Sequence, residues 1–279
     1  NTSILGSILI FTNKKILTFY LLVYIFLSMS RKIIFYNQKG GVGKTTVTVN
    51  LASALAEMGK KVLLIDFDAP VNLTHAVSGD PKKKNIYQVI TGQVPAIDAV
   101  QSTMFNNLFL IPGSLDIAGL AIELVDEEKR ELFLKRSLAS IDDEFDYILL
   151  DCPPSLGLET VNALCWCDEV IIPLQCEYLA MEGLNLIMRT ITNIKKSINP
   201  SIRILGILFT MFSKRVRLNQ DVVNDITEFF PDLVFKTIIP RSSRLAEAPS
   251  HGLPINYYDK SSSGAKAFKE LSKEVIERE

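Results

Sequence analysis

Residues 1–28 contain no Asp, Glu, Ala or Pro, although all four occur freely in the other 251 residues of the chain. The apolar run inside this stretch, Ile16 to Leu27, is shorter than the roughly 20 residues a membrane-spanning helix requires. Lys14 and Lys15 ahead of it give the charged-then-apolar order of a signal peptide. Asn1 in first position and Met29 just beyond the run point instead to translation from upstream of a true start. Residues 1–28 are therefore expected to be an upstream-translated or non-native apolar extension, with a membrane anchor as the alternative, and residues 29–279 to form one domain. Other chemistry is scarce too. Cys152, Cys165, Cys167 and Cys176 form no C-x-x-C pair, so the sequence offers neither a disulfide framework nor a zinc site. His75 and His251 have no metal-ligand company. Neither sign of charge dominates: 30 basic and 31 acidic side chains leave a net charge of −1, so any contact with a polyanion must come from a local patch.

What the sequence has in quantity is apolar residues, 48% of the chain, arranged in short runs that alternate with amphipathic stretches. Strands are expected at Lys32 to Asn37, Lys61 to Asp66, Leu108 to Ile111, Tyr147 to Asp151, Glu169 to Leu174, Ile202 to Met211 and Val234 to Ile239. Helices are expected from Thr45 to about Met58, near 116–139, 158–165, 181–197 and 218–230, and from about Gly264 to Glu277. The strand runs are almost continuously apolar, as in a sheet covered on both sides, so the expected fold is α/β: a single-domain P-loop NTPase with a mostly parallel sheet and helices on both faces. There is no repeat, low-complexity tract or linker after Met29.

The P-loop reading rests on "QKGGVGKTT", Gln38 to Thr46, which follows the first strand and opens the first helix. Gly40, Gly41 and Gly43, with Val42 among them, let the backbone turn its N–H groups inward, while the helix presents its positive end to the same point. Lys44 would reach the β- and γ-phosphates, Thr45 would offer a hydroxyl to Mg²⁺, and Thr46 completes the cradle. A carboxylate at a neighbouring strand end is needed for the metal. "YILLDCPPSLG" supplies Asp151, and "LLIDFDAP" supplies Asp66 and Asp68, so Thr45, Asp66 and Asp151 are the candidate metal ligands. Lys39 is one basic residue more than such a loop needs.

Taken with "IIPLQCEYLAMEGL", "TMFSKR" and "IPRSSRLAEAPSHG", these motifs resemble, in order and over roughly Lys32 to Ser263, the deviant-Walker ATPases of the ParA/Soj family, of which MinD is a relative. The resemblance implies a weak Mg²⁺-dependent ATP hydrolase that forms an ATP-dependent homodimer, is cytoplasmic and nucleoid-associated, and works with a ParB-type partner in plasmid or chromosome partitioning. It implies that Lys39 crosses the dimer interface to the partner's nucleotide, as an arginine finger does. It also makes Lys44 and Asp68 catalytic, Asp68 by positioning water, and builds the adenine pocket near Met211 and Pro240. One departure matters: the family usually continues D-x-D with Pro-Gln-Gly-Asn, and here stand Ala69, Pro70, Val71 and Asn72. Loss of the flexible glycine is expected to stiffen this loop and to bear on hydrolysis more than on nucleotide binding.

Lys214, Arg215 and Arg217 follow one strand end, and Arg241 and Arg244 follow the next. The resemblance gives the positions of Arg215 and Arg244 a part in nonspecific DNA binding, and Arg241 joins them as a candidate. Salt bridges or a place around the adenine are the alternative roles for these arginines. Two other functions are weighed. A MinD-like membrane-surface ATPase needs a basic amphipathic tail, whereas this one ends "KELSKEVIERE". An iron–sulfur reductase of the nitrogenase iron-protein type needs cluster cysteines, and these four do not fall in its ligand context.

Overall fold

Runs rich in Ile, Leu and Val form the centre of a sheet in the computed structural model, which describes residues 30–278; the expectations for residues 1–28 lie outside those described. The strands are β1 (Arg31–Phe35), β2 (Val62–Asp66), β3 (Gln101–Ser102), β4 (Leu108–Ile111), β5 (Tyr147–Asp151), β6 (Glu169–Gln175) and β7 (Arg203–Thr210). They pair in the order β3-β4-β2-β5-β1-β6-β7, parallel throughout except for β3 against β4. The five longest helices among the described residues are α1 (Lys44–Glu57), α2 (Leu158–Trp166), α3 (Ala180–Ser197), α4 (Arg217–Phe229) and α5 (Ser263–Glu277).

Alternate strand residues face opposite layers. Ile34, Leu63, Ile65, Ile148, Leu150 and Ile172 pack with Leu184, Ile187 and Ile191 of α3 and with α2. Ile33, Phe35, Val62, Leu64 and Leu149 pack on the other side with Val47, Leu51 and Leu55 of α1 and with Phe268, Leu271 and Val275 of α5. Helices thus cover both faces, as the continuous apolar strands require. Gly59, in the left-handed region at φ 86°, ends α1. Parallel pairing aligns the carboxyl ends of β1, β2 and β5, placing Phe35, Asp66 and Asp151 in register, and the loops that follow these strands open on one edge.

Two expectations are corrected, and one strand is new. Val234 to Ile239 is not a strand. Its ends bond to β7 and Phe212, through Phe235 N–H to Ile207 and Ile239 N–H to Phe209, but between them the N–H groups of Lys236 and Thr237 donate to the Glu274 carboxylate of α5. A side chain takes the donors a ladder needs. The helix expected near 116–139 is broken into short turns around the charged run Asp126 to Lys129, where Lys129 takes a positive φ of 55°. The edge strand β3 was not expected, because two residues carry no periodicity. No helix among the described residues is long and apolar enough to cross a membrane.

Candidate functional site

The loop after β1 is tied down from below. Asn37 donates to the Pro173 carbonyl of β6 at 2.8 Å and accepts the Lys39 N–H at 2.9 Å. Gly41 and Gly43 have φ of 75° and 90°, conformations that side chains with a Cβ rarely adopt. Thr210, at the end of β7, donates to the Val42 carbonyl at 2.8 Å, and Gln175 donates to the Gly41 carbonyl at 3.2 Å. With the carbonyls so used, the N–H groups of Gly40, Gly41, Val42, Gly43, Lys44, Thr45 and Thr46 donate to no acceptor among the described residues. Lys44 is buried, and its ammonium finds only carbonyl oxygens, that of Asn37 at 3.2 Å and that of Lys39 at 3.5 Å. A buried cation without a carboxylate, beside a row of unpaired amides at a helix N-terminus, is a site built for an anion.

Asp151 is fully buried at the end of β5. Its Oδ2 accepts the Thr45 hydroxyl at 2.5 Å, and its Oδ1 has no protein partner. Burial, with smaller contributions from Asp66 and Asp68, pushes it up to about 8 against the pull of Thr45 and Lys44. Asp66, in register on β2, differs: its Oδ2 accepts both the N–H and the hydroxyl of Thr74, at 2.8 and 2.7 Å, and burial raises it to about 6. Asp68 is half-buried and raised by burial, with Lys44 opposing. The open oxygen of Asp151 and the hydroxyl of Thr45 fit a hard divalent cation that takes its other ligands from water and phosphate. Asp66 has Oδ2 committed to Thr74, and its Oδ1 accepts the Asp68 N–H at 3.4 Å.

Lys39 is exposed and reaches Glu177, the residue before the exposed pair Tyr178 and Leu179. Nothing in the local sequence marks Glu177 as the partner of Lys39. Met211 lies beside the loop, with its sulfur 2.7 Å from Gln175 Nε2 and its methyl 3.7 Å from where a Cβ on Gly43 would sit. Met211, Gln175, Cys176 and Arg241 line a cavity of about 150 Å³ next to the loop. Pro240 bridges to Phe212 on its far side and, with Lys214, Arg215 and Arg241, lines an open groove of about 600 Å³. Arg244 is not part of that groove: it pairs with Glu247 at 3.1 Å and Asp259 at 3.6 Å. Gln175, Thr210 and Asn37 were missed, because hydrogen bonds to loop carbonyls leave no pattern in one sequence.

This loop, its lysine and the strand-end carboxylates on a doubly covered parallel sheet define a P-loop ATPase. Residues 30–204 match the family described as AAA domain. Over 251 residues, 90% of this chain and 99% of the other, the sequence is 47% identical to the chromosome-partitioning ATPase Soj of Treponema pallidum. It is 45% identical to the sporulation initiation inhibitor protein Soj of Bacillus subtilis, over 88% of this chain and 98% of that one. Among solved structures, cobyrinic acid a,c-diamide synthase from Mycobacterium smegmatis with an ATP analogue and magnesium superposes with a TM-score of 0.77 at 36% identity, covering 88% of this chain and 93% of the other. The chain belongs to the Soj/ParA family of chromosome-partitioning ATPases. The likeness to a synthase shows that this fold alone does not select the reaction.

Proposed function

We propose that the chain is an ATP-driven partitioning switch, which binds MgATP, closes as a homodimer, holds DNA without sequence preference, and is returned to the free state when a ParB-type partner stimulates hydrolysis. The observation that carries this reading is the buried Lys44 ammonium, held only by carbonyls beneath unpaired loop amides. A nucleotide's β- and γ-phosphates satisfy both. Mg²⁺, held by Thr45 and Asp151, would neutralise charge on the phosphate oxygens. Asp68 orients the attacking water. Lys39 serves the partner subunit's nucleotide, and its exposed pairing with Glu177 is of the weak surface kind, easily exchanged for phosphate. Cations delivered this way are worth about 10³ to 10⁵ in rate in other NTPases.

Lys214, Arg215 and Arg241 have no ion-pair partner among the described residues, which supports a phosphate-binding groove doubled by dimerisation. A cytoplasmic, nucleoid-associated location follows from this reading. Against a membrane role, the apolar face of α5 is buried against the sheet and α1, which leaves little of it for a bilayer. The test is DNA binding with no nucleotide, with ADP and with ATP, across a salt series. ATP should strengthen binding, and Lys39→Ala should remove that gain while still binding ATP. The double variant Arg215→Ala/Arg241→Ala removes two cations per subunit and so should lower affinity about tenfold or more and reduce the salt slope of the dimer by about 4. Arg244→Ala should cost less, because Glu247 and Asp259 already neutralise that charge. Binding that ignores ATP would overturn the reading.

A further inference from the structure

Thr74 is fully buried and joins the end of β2, eight residues before it, to the loop after β4, 39 residues beyond it. Its N–H and hydroxyl both donate to Asp66 at the end of β2, and the same hydroxyl oxygen accepts the Gly113 N–H at 3.0 Å from the loop after β4. Its carbonyl accepts the Gly79 N–H at 2.8 Å. There is no room for slack here. A Cβ on Gly113 would stand 3.0 Å from the Asp66 carboxyl and 3.1 Å from Val71, and a Cβ on Gly79 would stand 3.0 Å from the Thr74 methyl.

Between Asp66 and Thr74 runs the loop that carries Asp68. Its backbone is anchored at the start by Asp68 N–H to Asp66 Oδ1 at 3.4 Å and is closed by Val71 N–H to the Asp68 carbonyl at 3.0 Å. Val71 sits at φ 58°, a left-handed conformation that a β-branched residue adopts only under constraint, at a cost of about 1–3 kcal/mol. The constraint must come from the neighbours. Val71 is itself buried, and the next residues lead directly into Thr74.

We infer that Thr74 is a positioning residue for hydrolysis: through its paired bonds to Asp66 and Gly113 it holds the strained loop Asp68 to Val71 so that the Asp68 carboxyl is presented to the nucleotide site. The two strand-end carboxylates then divide the work. Asp151, with an open oxygen, faces the metal, whereas Asp66 is spent on the loop and is not a metal ligand. This inference rests on the role of Asp68 proposed above.

The test compares Thr74→Val, which keeps the shape and loses the hydroxyl, with Thr74→Ser, which keeps the hydroxyl. Three readouts are taken: kcat, the affinity for a fluorescent ATP analogue with Mg²⁺, and amide exchange over residues 67–78. Thr74→Val should lower kcat about 10- to 100-fold, as misplacement of a reacting group does. It should leave analogue affinity within about threefold and speed exchange in the loop. Thr74→Ser should restore kcat and protection, and Gly113→Ala, which intrudes on the clamp from its other side, should reproduce the defect if Thr74→Val fails to fold. Unchanged kcat in folded Thr74→Val, equal losses of kcat and affinity, or no rescue by serine would overturn the inference. Asp68→Ala separates the two readings. Wild-type kcat in that variant removes the role of Asp68, while the exchange data still decide whether Thr74 holds the loop.

Discussion

Charge is buried at both ends of this sheet, and the two ends treat it in opposite ways. At the amino ends of the strands Glu169 is 3% exposed and is matched by Arg31, which reaches both of its oxygens, and by Arg203. Lys32 beside it is held by Asp142 at 3.2 Å and Asp168 at 3.7 Å. At the carboxyl ends Lys44 has no carboxylate within ion-pair distance, Asp151 keeps one bare oxygen, and both Asp66 and Asp151 are pushed up by burial. One end sets each of its buried charges against an opposite charge of the chain and serves stability, although Asp142 Oδ1 there has no partner among the described residues and burial raises Asp168. The other leaves its charges open, at a cost that a ligand of the right charge removes.

The comparison breaks first at Glu169. Replacing it with Ala strands Arg31 in a half-buried place and should destabilise the protein by about 3–5 kcal/mol in denaturant melts. Hydrolysis per folded molecule should stay within about twofold, because the site is at the far end of the sheet. Lys44→Ala should do the reverse: ATP hydrolysis falls at least about 100-fold, while Tm of the ligand-free protein holds or rises, since a buried unpaired cation has gone. A Tm drop comparable to that of Glu169→Ala would erase the distinction between the ends. The smallest effect is the pH dependence. Asp66 and Asp151 have folded values raised above 3.8, so their stabilising contribution is complete below about pH 3.8 and is lost as pH rises through about 6 and about 8. In EDTA, these two groups should therefore lower Tm from about pH 4 to about pH 8, more steeply below about pH 6 where both contribute, and MgATP should flatten the decline. A flat profile in EDTA would mean that the carboxylates are already satisfied.

Much of this was readable from the residues. The glycine loop, Lys44 and the acid at each strand end announce themselves because phosphate binding demands those residue types in consecutive order on a strand–loop–helix unit. The parallel sheet followed from apolar runs too continuous for one exposed face. The segment Val234 to Ile239 looked equally strand-like and failed, because its donors are taken by Glu274, 38 residues from Lys236. Arg215 and Arg244 looked alike as basic residues after strand ends, yet one lines an open groove and the other is neutralised by Glu247 and Asp259.

Sequence alone determined the class of chemistry, since local order suffices where a backbone loop and its next helix make the site. Only the tertiary structure decided how the three aspartates differ. Asp66 and Asp151 are indistinguishable as apolar-run carboxylates, and what separates them is the Thr74 hydroxyl, which donates to Asp66 and accepts the Gly113 amide from the loop after β4. The left-handed turn at Val71 became visible as strain only once its φ was known. Burial and hydrogen-bond partners are properties of distant segments meeting, and no single stretch of sequence carries them.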